Sequence, residues 1–251
     1  MSSGARLAAA AAVVLALAVG QASAAVDVDL ALVLALDSSA SVDSEEFALQ
    51  RGGVAAAFRD REVVEAIAAG PLKRIAVTVI EWAGSVQQKV VVGWTVVGDA
   101  DGALALADRI DGLDRAIPTG ATSIASALAF ASTLLRAAPF TATRRVIDVS
   151  GDGRNNQGRN VEDVRRLVVA QGTTINALAI LNEHPTLDYY FEERVIGGAG
   201  AFVEVAADYG VYVEAIRRKL IREIRSLTVS DAATPSPESR AVLAAAPTPA
   251  R

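Results

Sequence analysis

Cysteine is absent from this chain, and histidine and methionine occur once each. Without thiols, neither disulfides nor thiolate-rich zinc sites are available. The fold must then rest on its own core, which about 200 structured residues can supply without cross-links. The lone histidine, His184 in Asn182-Glu183-His184-Pro185, is the only base a Ser-His-Asp triad would have, and no Gly-x-Ser-x-Gly elbow accompanies it. It reads as a surface loop residue. The chain also lacks a Gly-Lys-Ser/Thr phosphate loop, which argues against nucleotide hydrolysis. No basic stripe offsets the formal net charge of -5, so nucleic acid and anionic membrane surfaces are poor partners. Aromatics are few. Trp82 and Trp94 sit on or beside apolar runs and suit core or edge packing. The run Tyr189-Tyr190-Phe191 suits core packing, or a protein interface if it is exposed.

The two ends differ from the middle. Met1 to Ala24 carries one charge, Arg6, then the apolar run Leu7 to Val19 and an Ala22-Ser23-Ala24 motif. This is the pattern of a cleavable secretory signal, and the run is short for a membrane span. Cleavage would remove Arg6 and move the formal charge from -5 to -6. The expected location is the periplasm or the medium, with no stable membrane insertion afterwards. Residues 228–251 are rich in Ala, Pro, Ser and Thr and read as a disordered tail. Residues 25–227 remain as one domain.

Within that domain, apolar runs alternate with amphipathic ones. Strands are expected at Asp29–Leu36, Arg74–Trp82, Arg145–Val149, Thr174–Leu181 and Phe202–Val205, with a short edge strand at Val90–Thr95. Helices are expected at Ser44–Arg59, Asp99–Asp111, Ile124–Arg136, Val161–Ala170 and Gly210–Arg225. Near-continuous Val, Ile, Leu and Ala in the strands implies that both sheet faces are covered. The expected fold class is therefore α/β: three layers, doubly wound, with a mostly parallel sheet and one short antiparallel edge strand. Asp148 is out of place in such a strand, and Arg144, Arg145 or a backbone donor is its expected partner.

The first strand runs directly into Asp37-Ser38-Ser39-Ala40-Ser41. Asp37, Ser39 and Ser41 stand at alternate positions, one carboxylate and two hydroxyls. Hard divalent cations take oxygen ligands, Mg2+ at roughly 2.0–2.1 Å with several waters retained. The same residue types also build turns and helix caps, and Asp43-Ser44-Glu45-Glu46 fits a capping box. Two further loops favour the metal. Thr122 lies in Pro118-Thr119-Gly120-Ala121-Thr122-Ser123, ahead of a helix, and Asp152 lies between Gly151 and Gly153, just beyond a strand. Binding sites of open α/β sheets form outside the carboxyl ends of their strands. Asp37 after a first strand also invites comparison with aspartate-nucleophile phosphatases, but the acid/base position two residues later is Ser39, which cannot serve.

These three elements, in this order, resemble the metal-ion-dependent adhesion site of von Willebrand factor type A domains, the fold shared with integrin inserted domains. Asp37, Ser39 and Ser41 match its Asp-x-Ser-x-Ser element, Thr122 its separate threonine, and Asp152-Gly153 its Asp-Gly. Asn155 or Asn156 falls where family members often have Asn, and Gly197-Gly198 resembles a turn before the last strand. Ala121 departs from the family's second glycine. The resemblance spans roughly Asp27 to Arg225 and implies a divalent ion, Mg2+ or else Mn2+ or Ca2+. It implies Ser39, Ser41 and Thr122 as direct ligands, with Asp37 and Asp152 acting directly or through water. It further implies a protein partner whose Asp or Glu completes the shell, and a binding module rather than an enzyme. The alternatives are a structural or assembly subunit whose metal only stabilises loops, and a metal-assisted hydrolase using His184 or Glu183 as base.

Overall fold

The computed structural model describes residues 26–226; the expected signal and the tail lie outside them. Six strands form one sheet in the order β3-β2-β1-β4-β5-β6. They are β1 (Val26–Asp37), β2 (Ile75–Trp82), β3 (Gln88–Val97), β4 (Phe140–Gly151), β5 (Thr173–Ile180) and β6 (Val203–Ala206). All neighbouring pairs are parallel except β2 with β3. Helices α1 (Ser44–Arg59), α2 (Arg61–Ala68), α3 (Ala100–Asp111), α4 (Ile124–Arg136), α5 (Val161–Ala170), α6 (Leu187–Tyr190) and α7 (Tyr212–Arg225) cover the two faces. This is the three-layer α/β architecture expected from the sequence.

The alternation of side chains along β1 assigns the layers. Leu30, Leu32, Leu34 and Leu36 face one way, into a cluster with residues of α1, α2, α3 and α7. Ala31, Val33 and Ala35 face the other, where α4, α5 and α6 pack. Both sides of β1 are closed to water, as a central parallel strand requires. From β1 the chain winds one way to β2 and β3, then returns to build β4, β5 and β6 on the other side. The switch point therefore lies between β1 and β4, at the strand ends that carry Asp37 and Asp152.

Several elements differ from expectation, each for a local reason. Helix α2 was not foreseen. Asp60 ends α1 in an extended conformation and caps α2 through its carboxylate and the Glu62 amide, and Val63, Ala66 and Ile67 then bury one narrow face. Strand β4 starts at Phe140, earlier than expected, because its first half pairs with β1 before β5 begins at Thr173. There it alternates in burial and carries Arg144 and Arg145, which conceal it in the sequence. The edge strand β3 is ten residues long rather than short. The aromatic run divides: Leu187, Phe191 and Val195 are buried on α6 and the π-helical turn Phe191–Val195, while Tyr189 is 64% exposed.

Asp148 does not pair with Arg144 or Arg145. Its partner is Lys219 of α7, 2.6 Å away, and Lys219 also reaches Glu223 at 2.8 Å. All three side chains are buried. Asn176 donates to Glu223 Oε1 at 2.8 Å, and Arg144 donates to the Glu223 carbonyl at 2.9 Å. Burial pushes the Asp148 carboxyl up, to about 7, against the opposing pull of Lys219.

Candidate metal centre

Asp37 is the last residue of β1, and Gln50 of α1 fixes its backbone from both sides. The Asp37 amide donates to Gln50 Oε1 at 3.1 Å, and Gln50 Nε2 donates to the Asp37 carbonyl at 3.0 Å. Past Asp37 the chain turns sharply, because Asp37 Oδ1 accepts the Ser39 amide at 2.7 Å. The capping function that competed for this loop is filled downstream. Asp43 accepts the Glu45 and Glu46 amides, and Glu46 Oε2 accepts the Asp43 amide. The capping box closes α1 without using Asp37, Ser39 or Ser41.

The Ser39 and Ser41 side chains join Asp152 in one run of hydrogen bonds, and Asp37 meets that run at the Ser39 amide. The Ser39 hydroxyl donates to the Ser41 hydroxyl at 3.2 Å, and Ser41 donates to Asp152 Oδ1 at 2.8 Å. Tyr209, just ahead of α7, donates to Asp152 Oδ2 at 3.2 Å. Thr122 lines the same cavity as Ser41 and Asp152, a space of about 420 Å³ that also meets Arg154, Asn156 and His184. The five residues expected to form a site therefore meet at the switch point, with His184 on the rim.

The three loops are bolted together through backbone groups. Asn156 accepts the Thr122 amide through its side chain and returns its own amide to the Thr122 carbonyl, both at 2.9 Å. Asn155 Oδ1 accepts the Ala125 amide at 3.1 Å and so caps α4, which has no cap from Ser123. The Ala40 amide reaches the Gly120 carbonyl at 2.8 Å. Arg115 grips the first loop from below, donating to the Ser38 hydroxyl and to the carbonyls of Ser38, Ser39 and Val42. Glu81 Oε2 in turn holds the amides of Ala116 and Ile117.

Four of these supporting residues went unrecognised in the sequence: Gln50, Arg115, Glu81 and Tyr209. Gln50 alone left a signal, since it interrupts the apolar stripe Phe47, Val54, Phe58 at helical spacing. The others act over long sequence separations and have no local signature.

The electrostatics of the cluster are one-sided. Asp37 and Asp152 are both buried, and among the described residues no Lys, Arg or His forms an ion pair with either. Burial, and then the charge of Asp152, push the Asp37 carboxyl up to about 7. Burial also raises Asp152, opposed by its bonds from Ser41 and Tyr209. Asp37 Oδ2 is enclosed with no hydrogen-bond partner at all. A buried carboxylate oxygen in that state is expensive unless a cation or donor meets it. The donor set is entirely oxygen, three hydroxyls and two carboxylates, as a hard divalent ion prefers. No group of three or more His, Cys, Asp or Glu suited to a metal occurs among the described residues, so any site here depends on Ser and Thr.

The family described as protein of unknown function (DUF1194) matches residues 27–228. The chain belongs to this family. Its fold is that of a von Willebrand factor type A domain, as the solved structures similar to this DUF1194 chain show. Proximal thread matrix protein 1 from the mussel byssus is 14% identical, with a TM-score of 0.56 over 82% of this chain and 49% of its own. A structure of that protein with a zinc-occupied MIDAS motif gives a TM-score of 0.53 at 14% identity, covering 80% of this chain and 48% of its own. The von Willebrand factor type A protein from Catenulispora acidiphila is 16% identical, with a TM-score of 0.52 over 78% and 43% of the two chains. The DUF1194 chain thus spans about half of each of these relatives or less. No curated protein matches the sequence.

Proposed function

We propose that this protein is an exported, divalent-cation-dependent protein-binding module and not an enzyme. Ser39, Ser41 and Thr122 would hold the cation directly, and Asp37 and Asp152 would supply negative charge directly or through water. The single observation that carries this reading is the buried, unpartnered Oδ2 of Asp37 beside a second buried carboxylate that has no basic partner. The five oxygen groups would leave at least one position of an octahedral shell to water or to an incoming ligand. An Asp or Glu of a partner protein is the matching ligand, since a hard cation favours a carboxylate oxygen. Mg2+ is the expected ion, with Mn2+ or Ca2+ as substitutes.

The similar structures support the general class: one is a byssus thread matrix protein whose MIDAS motif holds zinc, and another is a pilus adhesin from Lactobacillus rhamnosus GG. Export rests on the secretory pattern of Met1 to Ala24, and no described helix is long and apolar enough to cross a membrane. Calorimetric titration of Mg2+ and Mn2+ into metal-stripped protein, beside Asp152→Ala, tests the site. Heat of binding from the wild type alone is the expected result. Equal binding by both proteins, or by neither, would remove the metal from the mechanism.

A further inference from the structure

We infer that the partner segment carries a second acidic side chain, which Arg154 receives beside the metal-bound carboxylate. This inference rests on the metal-bridge reading above and adds a second anchor to it. Arg154 follows Asp152 by two residues and lines two cavities at once. One is the space of about 420 Å³ over the candidate metal centre. The other, about 300 Å³, is bounded by Arg154, Thr186, Tyr189, Tyr190, Glu193 and Arg194. A chain leaving the first cavity on this side passes over the Arg154 guanidinium into the second.

Arg154 is held in place without being neutralised. Its Nη2 donates to Thr186 Oγ1 at 3.3 Å, and its guanidinium lies over the Tyr190 ring, 5.5 Å from the centroid. Tyr190 is fixed in turn, because its hydroxyl accepts the Asn155 amide at 3.3 Å. The loop carrying Arg154 is anchored to the Thr122 loop through Asn155 and Asn156. No carboxylate pairs with Arg154 among the described residues, whereas Arg194 across the same cavity is paired with Glu162 and Glu193. A guanidinium has five N–H donors, and among the described residues those of Arg154 find one acceptor, Thr186. A planar cation fixed beforehand loses little entropy on pairing, and its fork suits a carboxylate better than a neutral group.

Charge complementarity selects the occupant. Around the site stand Asp37, Asp152, Glu46 and Glu183, with Glu183 close enough to act on both Asp152 and Glu46, and Glu193 lines the second cavity beside Arg194. A basic side chain offers no oxygen lone pair to the ion and no acceptor to Arg154, whereas a carboxylate offers both. An acidic segment meets both positive points in sequence. The exposed Tyr189 ring beside them offers an apolar surface to whatever lies between the two acids.

The test uses the full chain saturated with Mn2+, whose bound water is read by proton relaxation and is displaced by an arriving carboxylate. The probes are capped glycine peptides bearing one Asp, or two Asp separated by none, one, two or three glycines. At the best spacing the two-acid peptide should bind about fivefold tighter than the one-acid peptide, the size of a good exposed ion pair. Arg154→Gln should cancel that advantage, bringing the two-acid and one-acid affinities of the variant together. Arg154→Lys, with charge but no fork, should keep part of it. If no spacing gives an advantage, or if the advantage survives in Arg154→Gln, the second anchor is overturned while the metal bridge stands. If Mn2+ binds but no peptide displaces its water, both ideas fall together.

Discussion

Two pairs of buried carboxylates flank this sheet, an interior pair between β4 and α7 and an edge pair at the carboxyl ends of β1 and β4. Asp148 and Glu223 share Lys219, which fills the position between them at 2.6 and 2.8 Å. Asp37 and Asp152 have no such residue; hydroxyls of Ser39, Ser41 and Tyr209 stand around them, and one oxygen of Asp37 lacks a hydrogen bond, as do Asp148 Oδ1 and Glu223 Oε2 of the interior pair. The interior pair carries its cation on the polypeptide and is closed on all sides. At the edge pair, Asp152 lines a cavity that reaches solvent, and Asp37 is enclosed behind it. Similar side-chain chemistry thus stands in two settings: a resident ammonium makes the interior cluster a joint between α7 and the sheet, and among the described residues the edge cluster has no such resident cation.

The interior pair gives the largest expected effect. Lys219→Met would leave two carboxylates buried without compensation and cost about 3–5 kcal/mol, the usual penalty for removing one side of a buried pair. Thermal melting should show a fall of about 10 °C or more for a domain of this size. Adding Asp148→Asn to that variant should restore part of the loss; if it does not, the two acids are not what the lysine compensates.

The edge pair should respond to what is dissolved in the buffer. Mg2+ or Mn2+ at about 100 times its dissociation constant should add about 2.7 kcal/mol, or roughly 5–10 °C in melting temperature. Asp152→Ala should show no such gain, and Lys219→Met should keep it. A gain of equal size in Asp152→Ala would place the ion elsewhere.

Smaller effects sharpen the comparison. Gln50→Leu removes both partners of the Asp37 backbone and should cost about 1–3 kcal/mol, with a weaker metal response than the wild type. The pH dependence has a definite sign. In the metal-free fold the Asp37 carboxyl titrates at about 7 instead of its ordinary 3.8. The folded chain then holds a proton that the unfolded chain has released. That contribution to stability is present below about pH 4 and is lost as pH rises through 7. Metal-free protein should melt lower at pH 8 than at pH 6, and the drop should be smaller in Asp37→Asn and in the presence of Mn2+. A melting temperature that rises over this range would contradict the assignment.

The sequence disclosed the parts of the molecule that are local. A strand of Leu and Val followed by Asp37-Ser38-Ser39-Ala40-Ser41 declares both its burial and its loop chemistry within a dozen residues. The capping box at Asp43 and Glu46 was equally plain. Residues acting across the chain were not legible. Arg115 supports Ser38 and Ser39 from 77 and 76 positions away, and Tyr209 reaches Asp152 across 57. Lys219 was missed as the partner of Asp148 because two nearer arginines offered an obvious local choice. Arg144 spends its hydrogen bond on the Glu223 carbonyl instead. Helix α2 escaped notice because eight residues give too few turns for a periodic pattern to emerge.

The chain has two tryptophans, and the fold places them in contrasting surroundings. Trp94 stands on the edge strand, edge-on to Phe140 with ring centroids 5.0 Å apart. Trp82 is fully enclosed at the end of β2, level with Asp37, and a methyl group built on Gly151 would lie 3.4 Å from its ring and 3.0 Å from Asp37 Oδ2. An indole so close to a carboxylate of variable charge is a built-in optical gauge. Its emission should move when a divalent ion or a proton arrives at Asp37, while Trp94 holds steady as an internal standard, so occupancy can be followed in unlabelled protein by fluorescence alone.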